Sequence, residues 1–302
     1  MYAVVPYLAF LSVTGSFLNL LVCVVLLKDM RRMRVQDIFL VSISTGDFLA
    51  SSVAIPIALK AALSSSWPFG LSGCQVHAFL IYTLGLVSIT NLAALALEKF
   101  LTIVKCLYSD EHFFTRLQAI CVVAGLWVYC LLITIPPLFG WARYGLEPGN
   151  KTCSLRWDDD GPADDAYYGV MFGGYFILPL ALMVFSYFRI FKIMHHVKAM
   201  NLQCILQLSH NKRALLRKHI QSAVFFLLLI AGYLMAWTPY TIATLSMVSG
   251  AKVSDNGLMI PSLFAKTSFV LNPILYTLVS KRFRRRMAAT LPCSRRNGVE
   301  QE

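Results

Sequence analysis

Three ionisable side chains, Asp47, Glu98 and Lys266, lie inside long apolar stretches of the sequence. A charge is unfavourable in such a stretch, so each of the three is a candidate functional group. Asp47 has the alternative role of a structural hydrogen-bonding group, and Glu98 with the adjacent Lys99 has that of a solvated charge pair. Lys266 lies about eight residues inside its stretch, too deep for its ammonium to reach water comfortably. A primary amine in a dry pocket is suited to imine formation, and this chemistry makes Lys266 the strongest candidate.

The apolar stretches around these residues have the length of membrane spans. Of the 302 residues, 57% are hydrophobic and 14% are charged, whereas a soluble domain is about 45–50% apolar and about 25% charged. A spanning helix needs about 20 mainly apolar residues, and the sequence predicts seven: Val4–Leu27, Ile38–Leu63, Cys74–Val104, Ala119–Leu138, Tyr167–Ile190, Ser222–Val248 and Leu258–Leu278. The first stretch lacks a basic leading segment and is interpreted as a span, not as a removable signal peptide. The sequence therefore predicts an all-α membrane protein, a seven-transmembrane helix bundle over residues 1–280.

The basic residues predict the orientation of the chain in the membrane. Lys and Arg number 27 against 15 Asp and Glu, a formal net charge of +12, and most of them follow spans one, three, five and seven. The positive-inside rule then predicts a plasma-membrane protein with its N-terminus outside and its C-terminus in the cytoplasm. The excess of basic residues is a topology signal, and it also provides a surface for anionic lipids or an acidic partner. Nucleic-acid binding is therefore disfavoured. The sequon at Asn150 lies on the outer side as a glycosylation site.

Residues 281–302 form the second predicted unit, a cytoplasmic amphipathic helix with a short tail. The run Lys281–Met287 is basic and is typical of a helix that lies on a membrane surface. Cys293, just beyond this run, is a candidate for palmitoylation, with a plain unmodified cysteine as the alternative.

Characteristic residues occur in a fixed order along the spans. They are Asn19 in span one, Asp47 in span two, Trp127 in span four, Pro179 and Tyr187 in span five, Trp237-Thr238-Pro239-Tyr240 in span six and Asn272-Pro273-Ile274-Leu275-Tyr276 in span seven. With these motifs the chain resembles the class A (rhodopsin-like) G-protein-coupled receptors over nearly its whole length. Pro239 and Pro273 each remove a backbone donor and kink their helices, so that the helix halves can swing. Asn19, Asp47 and Asn272 form a predicted polar cluster with two arrangements.

The resemblance also implies protein partners and an activation switch. The expected partners are a heterotrimeric G protein and arrestin. The implied switch residues are Asn19, Asp47, Glu98, Lys99, Pro239, Asn272, Pro273 and Tyr276. Lys99 replaces the arginine that engages a G protein in this family, and lysine lacks the planar five-donor fork of arginine.

Two cysteines, Cys74 and Cys153, lie on the predicted outer side of the membrane. This side is oxidising, so we expect a disulfide between them. Such a bond would hold the long outer loop over the mouth of the bundle.

Lys266 narrows the resemblance to the animal opsins. It precedes Tyr276 by ten residues, about 15 Å of helix, and therefore lies near the middle of the membrane. Animal opsins carry retinal, 11-cis or all-trans, on a lysine at this position as a Schiff base. The residues that match the opsin pocket are Tyr82, Met171, Phe172, Tyr175, Phe176, Trp237 and Tyr240, with a plain aromatic core as the alternative. No metal site is expected.

A protonated imine inside the bundle requires a negatively charged partner. Opsins supply it either three residues after the cysteine of span three or six residues before the cysteine of the outer loop. The first position is His77 here, which cannot be an anion, and the second is Glu147. The resemblance therefore implies Glu147 as the counterion, with a solvated loop acid as the alternative.

The sequence thus predicts a light-sensing, retinal-binding receptor that is not an enzyme, and two alternatives stay open. The segment Trp67–His77 also resembles the retinochrome and RGR-like branch of the opsins. A retinal photoisomerase of that type would use the same pocket and would not need a G protein. A receptor for a diffusible ligand would use Lys266 to pair with an acidic group of that ligand.

Overall fold

A computed structural model of the protein describes residues 3–28, 30–108, 115–147, 152–157, 161–199 and 210–290. Within these residues seven helices, α1 to α7, are long and apolar enough to cross a membrane: Val4–Leu27, Val35–Ala62, Gly70–Cys106, Arg116–Leu138, Ala163–His195, Ala214–Val248 and Asp255–Val279. An eighth helix, α8, covers Lys281–Thr290. The predicted seven-helix bundle is confirmed. Most of the helices extend past their predicted limits, because a helix continues beyond the apolar stretch that marks its membrane span.

Two helices contain a π-helical turn. The turn in α2 covers Ala50–Ala54 and precedes Pro56, and the turn in α5 covers Phe172–Ile177 and precedes Pro179. Proline lacks the N–H group that continues the regular hydrogen-bond ladder, so the winding changes just before it. Wide turns of this kind are frequent at functional sites.

The seventh helix is interrupted where it carries its lysine. Its first segment is Asp255–Ala265 and its second segment is Ser268–Val279. Lys266 and Thr267 lie in the turn between the two segments.

A small antiparallel sheet covers one end of the bundle. Strand β1 (Tyr144–Leu146) pairs with β2 (Cys153–Leu155), and Leu146 lies opposite Cys153. The disulfide between Cys74 and Cys153 joins β2 to α3, with the two Cα atoms 5.3 Å apart. The predicted disulfide is therefore present and holds the hairpin against α3. We call this end of the bundle the hairpin face, and the end that carries α8 the C-terminal face.

Helix α3 is the most buried of the seven spans and packs against α2, α4, α5 and α6. Aliphatic side chains such as Leu86, Val87 and Ile89 are fully buried along it. By contrast, Val13 and Phe17 of α1 and Leu132 of α4 point away from the bundle and are exposed. An apolar outer surface of this kind is expected where helices contact lipid tails instead of water.

The predicted C-terminal amphipathic helix is confirmed as α8. Its Phe283 is buried against the bundle, and its basic residues contact Asp37 of α2. One oxygen of the Asp37 carboxylate accepts hydrogen bonds from Arg282 at 3.2 Å and from Arg286 at 3.1 Å. Asn150 and Cys293 lie outside the described residues, so their modification stays a prediction.

Candidate ligand-binding site

Lys266 lies in a tight turn, and its side chain is buried. The backbone amides of Lys266 and Thr267 donate to the carbonyls of Leu263 and Phe264 at 3.2 and 3.0 Å, three residues back along the chain. Lys266 is only 5% exposed, and its Nζ donates to the carbonyl and hydroxyl oxygens of Ser262 at 3.2 and 3.1 Å. The amine therefore lies away from water and is oriented by neighbouring oxygens.

This amine lines a small cavity, of about 20 Å³, beneath the β-hairpin. The walls come from α3, α6, α7 and the hairpin: Ile81, Tyr82, Glu147, Cys153, Ser154, Trp237, Tyr240, Ser262, Ala265 and Lys266. Because Cys153 is bonded to α3, the hairpin is fixed over the cavity. The disulfide thereby brings an acidic loop residue and the lysine of α7 to the same enclosed space.

Glu147 follows β1 directly and is only 5% exposed, so it is not a solvated loop acid. One oxygen of its carboxylate accepts a hydrogen bond from the Tyr240 hydroxyl at 3.4 Å, and the other accepts one from the Thr152 hydroxyl. Tyr240 also shares a hydrogen bond of 2.9 Å with the Tyr82 hydroxyl. Glu147 and Lys266 thus lie in one cavity, each with neutral hydrogen-bonding groups beside it.

A second cavity, of about 30 Å³, adjoins the first, because Tyr82, Trp237 and Tyr240 line both. Its other walls are Trp157, Met171, Phe172, Tyr175, Phe176, Thr241 and Thr244. The π-helical turn of α5 supplies three of these aromatic and apolar walls. The structure therefore brings all seven residues of the predicted pocket to one cavity or to both.

Three residues that line the second cavity, Trp157, Thr241 and Thr244, are absent from the predicted pocket. Thr244 follows Tyr240 by one helical turn, so helical periodicity could have found it. Trp157 packs against Phe172 with ring centroids 5.4 Å apart. It lies beside an acidic run in a loop, and no local sequence signal shows that the loop folds back onto α5.

The predicted polar cluster forms only in part, around Asp47. Its two carboxylate oxygens accept hydrogen bonds from the Ser88 hydroxyl and the Asn272 amide, each at 2.8 Å. Asn19 donates to the backbone carbonyl of Phe269 at 2.8 Å, so it joins α1 to α7 without contacting Asp47. Ser88 is a member that the sequence did not reveal, because it meets Asp47 only when α2 and α3 pack together.

Glu98 and Lys99 form a buried ion pair of 2.8 Å, with side chains 8% and 3% exposed. The pair is therefore not solvated. Lys99 also donates to the side-chain oxygen of Gln36 at 2.9 Å, and the same oxygen accepts from the Ser222 hydroxyl at 3.0 Å. We call this bridge between α2, α3 and α6 the Gln36 latch, and no motif or spacing in the sequence predicts it.

The indole of Trp237 links the cavities to α7. Its N–H group donates to the Ser268 hydroxyl at 2.9 Å, and Ser268 donates to the carbonyl of Ala265 at 2.8 Å. Pro239 lies within α6 two residues after Trp237, and Pro273 lies within the second segment of α7. Pro239 thus lies at the level of the cavities, between their lining residues Trp237 and Tyr240, whereas Pro273 lies between Lys266 and the C-terminal face.

The family described as "7 transmembrane receptor (rhodopsin family)" matches residues 18–276. The chain belongs to the rhodopsin family of seven-transmembrane receptors. The match begins within α1 and ends at the last motif residue of α7, so it extends over part or all of each of the seven spans.

Relatives of this receptor carry opsin names. "Rhodopsin, G0-coupled" from Mizuhopecten yessoensis is 27% identical, with 92% of this chain and 69% of that protein covered. "Visual pigment-like receptor peropsin" from Homo sapiens is 29% identical, with 96% and 84% covered. The crystal structure of squid rhodopsin matches the fold with a TM-score of 0.88 at 22% identity, covering 97% of this chain and 85% of that chain. The resemblance to animal opsins is confirmed.

Proposed function

We propose that this receptor senses light through retinal held on Lys266. The observation that carries the proposal is that the buried amine of Lys266 and the buried carboxylate of Glu147 line the same cavity. A positively charged covalent link inside an apolar bundle requires a negative charge of this kind nearby. The similarity to proteins named rhodopsin and peropsin supports the proposal.

The residues present fit retinal in their chemistry. When bound, retinal supplies an aldehyde carbon for attachment to the amine and a polyene that changes shape when it absorbs light. Lys266 would hold the aldehyde end, and aromatic walls such as Phe172 and Tyr175 would hold the apolar end. The cavities are narrow, about 20 and 30 Å³, so the side chains between them, Trp237 and Tyr240 among them, must move apart to admit it.

The chain's own polar groups prepare the attachment point. Ser262 holds the amine of Lys266 with two oxygen acceptors. The hydroxyls of Tyr240 and Thr152 hold the carboxylate of Glu147. Because these groups are buried, water is kept from the lysine nitrogen and the attraction between opposite charges is stronger than in solvent.

Trp237 is the cavity residue from which a movement would spread. It is hydrogen-bonded to Ser268, which begins the segment of α7 that carries Asn272, the partner of Asp47. A shift of Trp237 would therefore act on a buried polar pair, which we propose as an element with two discrete arrangements. The proposed result is an opening of the C-terminal face to a heterotrimeric G protein, with arrestin as a further partner. We place this face in the cytoplasm and the hairpin face outside the plasma membrane.

A retinal photoisomerase is the second candidate function. One observation favours it: the residue in the place of the family's arginine, Lys99, is buried and is engaged by Glu98 and Gln36. A protein of this kind would release isomerised retinal from the same pocket without needing a free cation at the C-terminal face.

The attachment of retinal is tested by absorption spectroscopy. Purified protein is loaded with 11-cis-retinal, and its spectrum is recorded before and after illumination. We expect a protein-dependent band that Lys266→Ala abolishes and that the matched control Lys60→Ala, an exposed lysine on α2, retains. A band that persists in Lys266→Ala would overturn the proposed attachment site, and the absence of any band in the parent protein would favour a receptor for a diffusible ligand.

The two candidate functions are separated by two measurements on the same illuminated sample. Light-dependent nucleotide exchange on a heterotrimeric G protein supports the receptor. Release of isomerised retinal over many cycles, without any nucleotide exchange, supports the photoisomerase.

A further inference from the structure

A cavity of about 450 Å³ lies at the C-terminal face, between α2, α6, α7 and α8. It is separate from the two small cavities near Lys266 and shares no lining residue with them. Six of its lining residues are charged: Arg34, Asp37, Lys218, Lys281, Arg282 and Arg286. Five cations thus surround one carboxylate, which leaves a net charge of +4 around the cavity.

The single carboxylate is already engaged by two of the cations. Asp37 accepts hydrogen bonds from Arg282 and Arg286 of α8. The other three cations line the same cavity: Arg34 directly precedes α2, Lys218 lies in α6 and Lys281 begins α8. Like charges gathered around a concave surface focus a positive potential there. Such a site favours an anion that carries several negative charges.

We propose that this cavity binds a phosphorylated inositol group, either as the headgroup of a membrane phosphoinositide or as the free inositol phosphate. Each phosphate monoester carries nearly two negative charges and three acceptor oxygens. Two such groups match the net charge of the cavity, and Arg and Lys are the side chains that bind phosphate best. The cavity also lies on the face that the positive-inside rule places next to the anionic leaflet. This inference does not depend on retinal.

The test measures binding to the purified full-length protein in nanodiscs, in the dark and without retinal. The soluble probe is inositol trisphosphate, and the membrane probe is phosphatidylinositol bisphosphate in phosphatidylcholine nanodiscs. We expect Lys281→Gln and Lys218→Gln each to weaken binding of the soluble probe about tenfold, as loss of a charge-assisted contact does.

The matched control is Arg285→Gln, which removes one exposed charge from the same helix but from a residue that does not line the cavity. We expect it to change binding of the soluble probe by less than about twofold, because Arg285 does not line the cavity and salt screens a charge that does not contact the probe. Binding of both probes with this pattern supports the proposal. Binding of the membrane probe alone with the same pattern also supports it, and identifies the bilayer as the source.

Three results would overturn the proposal. The first is an equal loss of binding in Lys281→Gln and Arg285→Gln. The second is equal binding of phosphatidylserine nanodiscs at the same total lipid charge, which would indicate general surface attraction. The third is binding of an acidic C-terminal peptide of a G-protein α subunit without binding of either phosphate probe, which would make the cavity a protein-docking site.

Discussion

Glu147 and Lys266 are distant in the sequence, yet they line one buried cavity. Their nearest polar partners are neutral: hydroxyls of Tyr240 and Thr152 for the carboxylate, and oxygens of Ser262 for the amine. These partners fix the position of each charge without cancelling it. The remaining interaction is between the two charges themselves, and it can be measured by removing one of them.

We predict that Glu147→Gln lowers the pH at which the retinal-loaded protein loses its visible band. Removal of the negative charge destabilises the positive charge on the lysine nitrogen, so the proton is lost at lower pH. An interaction of about 2 kcal/mol in a partly buried site moves the midpoint down by about one to two pH units. The measurement is a spectrophotometric pH titration of both proteins.

Asp47→Asn is the control for this titration, since it removes another buried carboxylate that lies in the separate polar cluster with Ser88 and Asn272. Its midpoint should equal that of the parent protein. An unshifted midpoint in Glu147→Gln would show that another anion offsets the lysine charge. An ultraviolet band in the parent protein at neutral pH would show that no counterion is needed in the dark.

Lys99 carries a second prediction at the scale of one side chain. Its ammonium lies between Glu98 and Gln36, and it cannot make the bidentate contacts of a guanidinium. We expect weak light-driven nucleotide exchange in the parent protein and an increase of about tenfold in Lys99→Arg. Lys105→Arg makes the same substitution near the C-terminal end of α3 and should leave the rate of nucleotide exchange unchanged. Equal rates in parent and Lys99→Arg would contradict the argument.

The role of a single residue could be predicted where a motif or helical periodicity identifies that residue. Lys266 and Asp47 stand out because a charge in an apolar span is rare, and both proved to be buried. Ser88, Gln36 and Trp157 could not be found in this way. Each is an ordinary polar or aromatic residue whose partner lies on another helix, so its role exists only after the helices have packed.

Among the secondary-structure elements, α2, α3 and α6 meet at the Gln36 latch. One oxygen accepts from Lys99 of α3 and from Ser222 of α6. An outward swing of α6 must break the contact with Ser222. The latch therefore favours the arrangement in which the C-terminal face is closed.

We predict that Gln36→Leu raises nucleotide exchange in the dark. Loss of the oxygen removes a hydrogen bond between helices, and a net contribution of about 1 kcal/mol corresponds to about a fivefold shift toward the open arrangement. Ser222→Ala should act in the same direction. Gln221→Leu, the same kind of change beside the latch, should leave the dark rate unchanged. A dark rate in Gln36→Leu equal to that of Gln221→Leu would show that the bridge has no restraining role.

The elements differ in how far the sequence predicts them. Hydropathy located all seven spans, because membrane length and apolar composition are properties of the local sequence. The π-helical turns of α2 and α5 and the interruption of α7 were not predicted. Proline marks where a ladder bond is missing, but whether the helix widens, kinks or tightens depends on the helices packed around it.

For the molecule as a whole, the Cys74–Cys153 bond fixes the hairpin on the bundle. We predict that Cys74→Ser, Cys153→Ser and the double variant are all destabilised, each by about 2–5 kcal/mol. The three should be equal, since each loses the same bond. Cys121→Ser, at an exposed free cysteine on α4, is the control and should melt as the parent does. Thermal unfolding in detergent measures this, and a double variant much less stable than either single variant would contradict the prediction.

The lysine side chain begins in the short turn between the two segments of α7, so it acts on the joint between two helical arms. The arms contain 11 and 12 residues, each about 17 Å long. A force applied to the lysine nitrogen is a torque about that joint, and a rotation of about 10° displaces the far end of an arm by about 3 Å. An unbroken helix would resist the same torque along its whole backbone. A small change in the shape of the molecule held by the amine is therefore converted into a larger displacement at the far ends of α7.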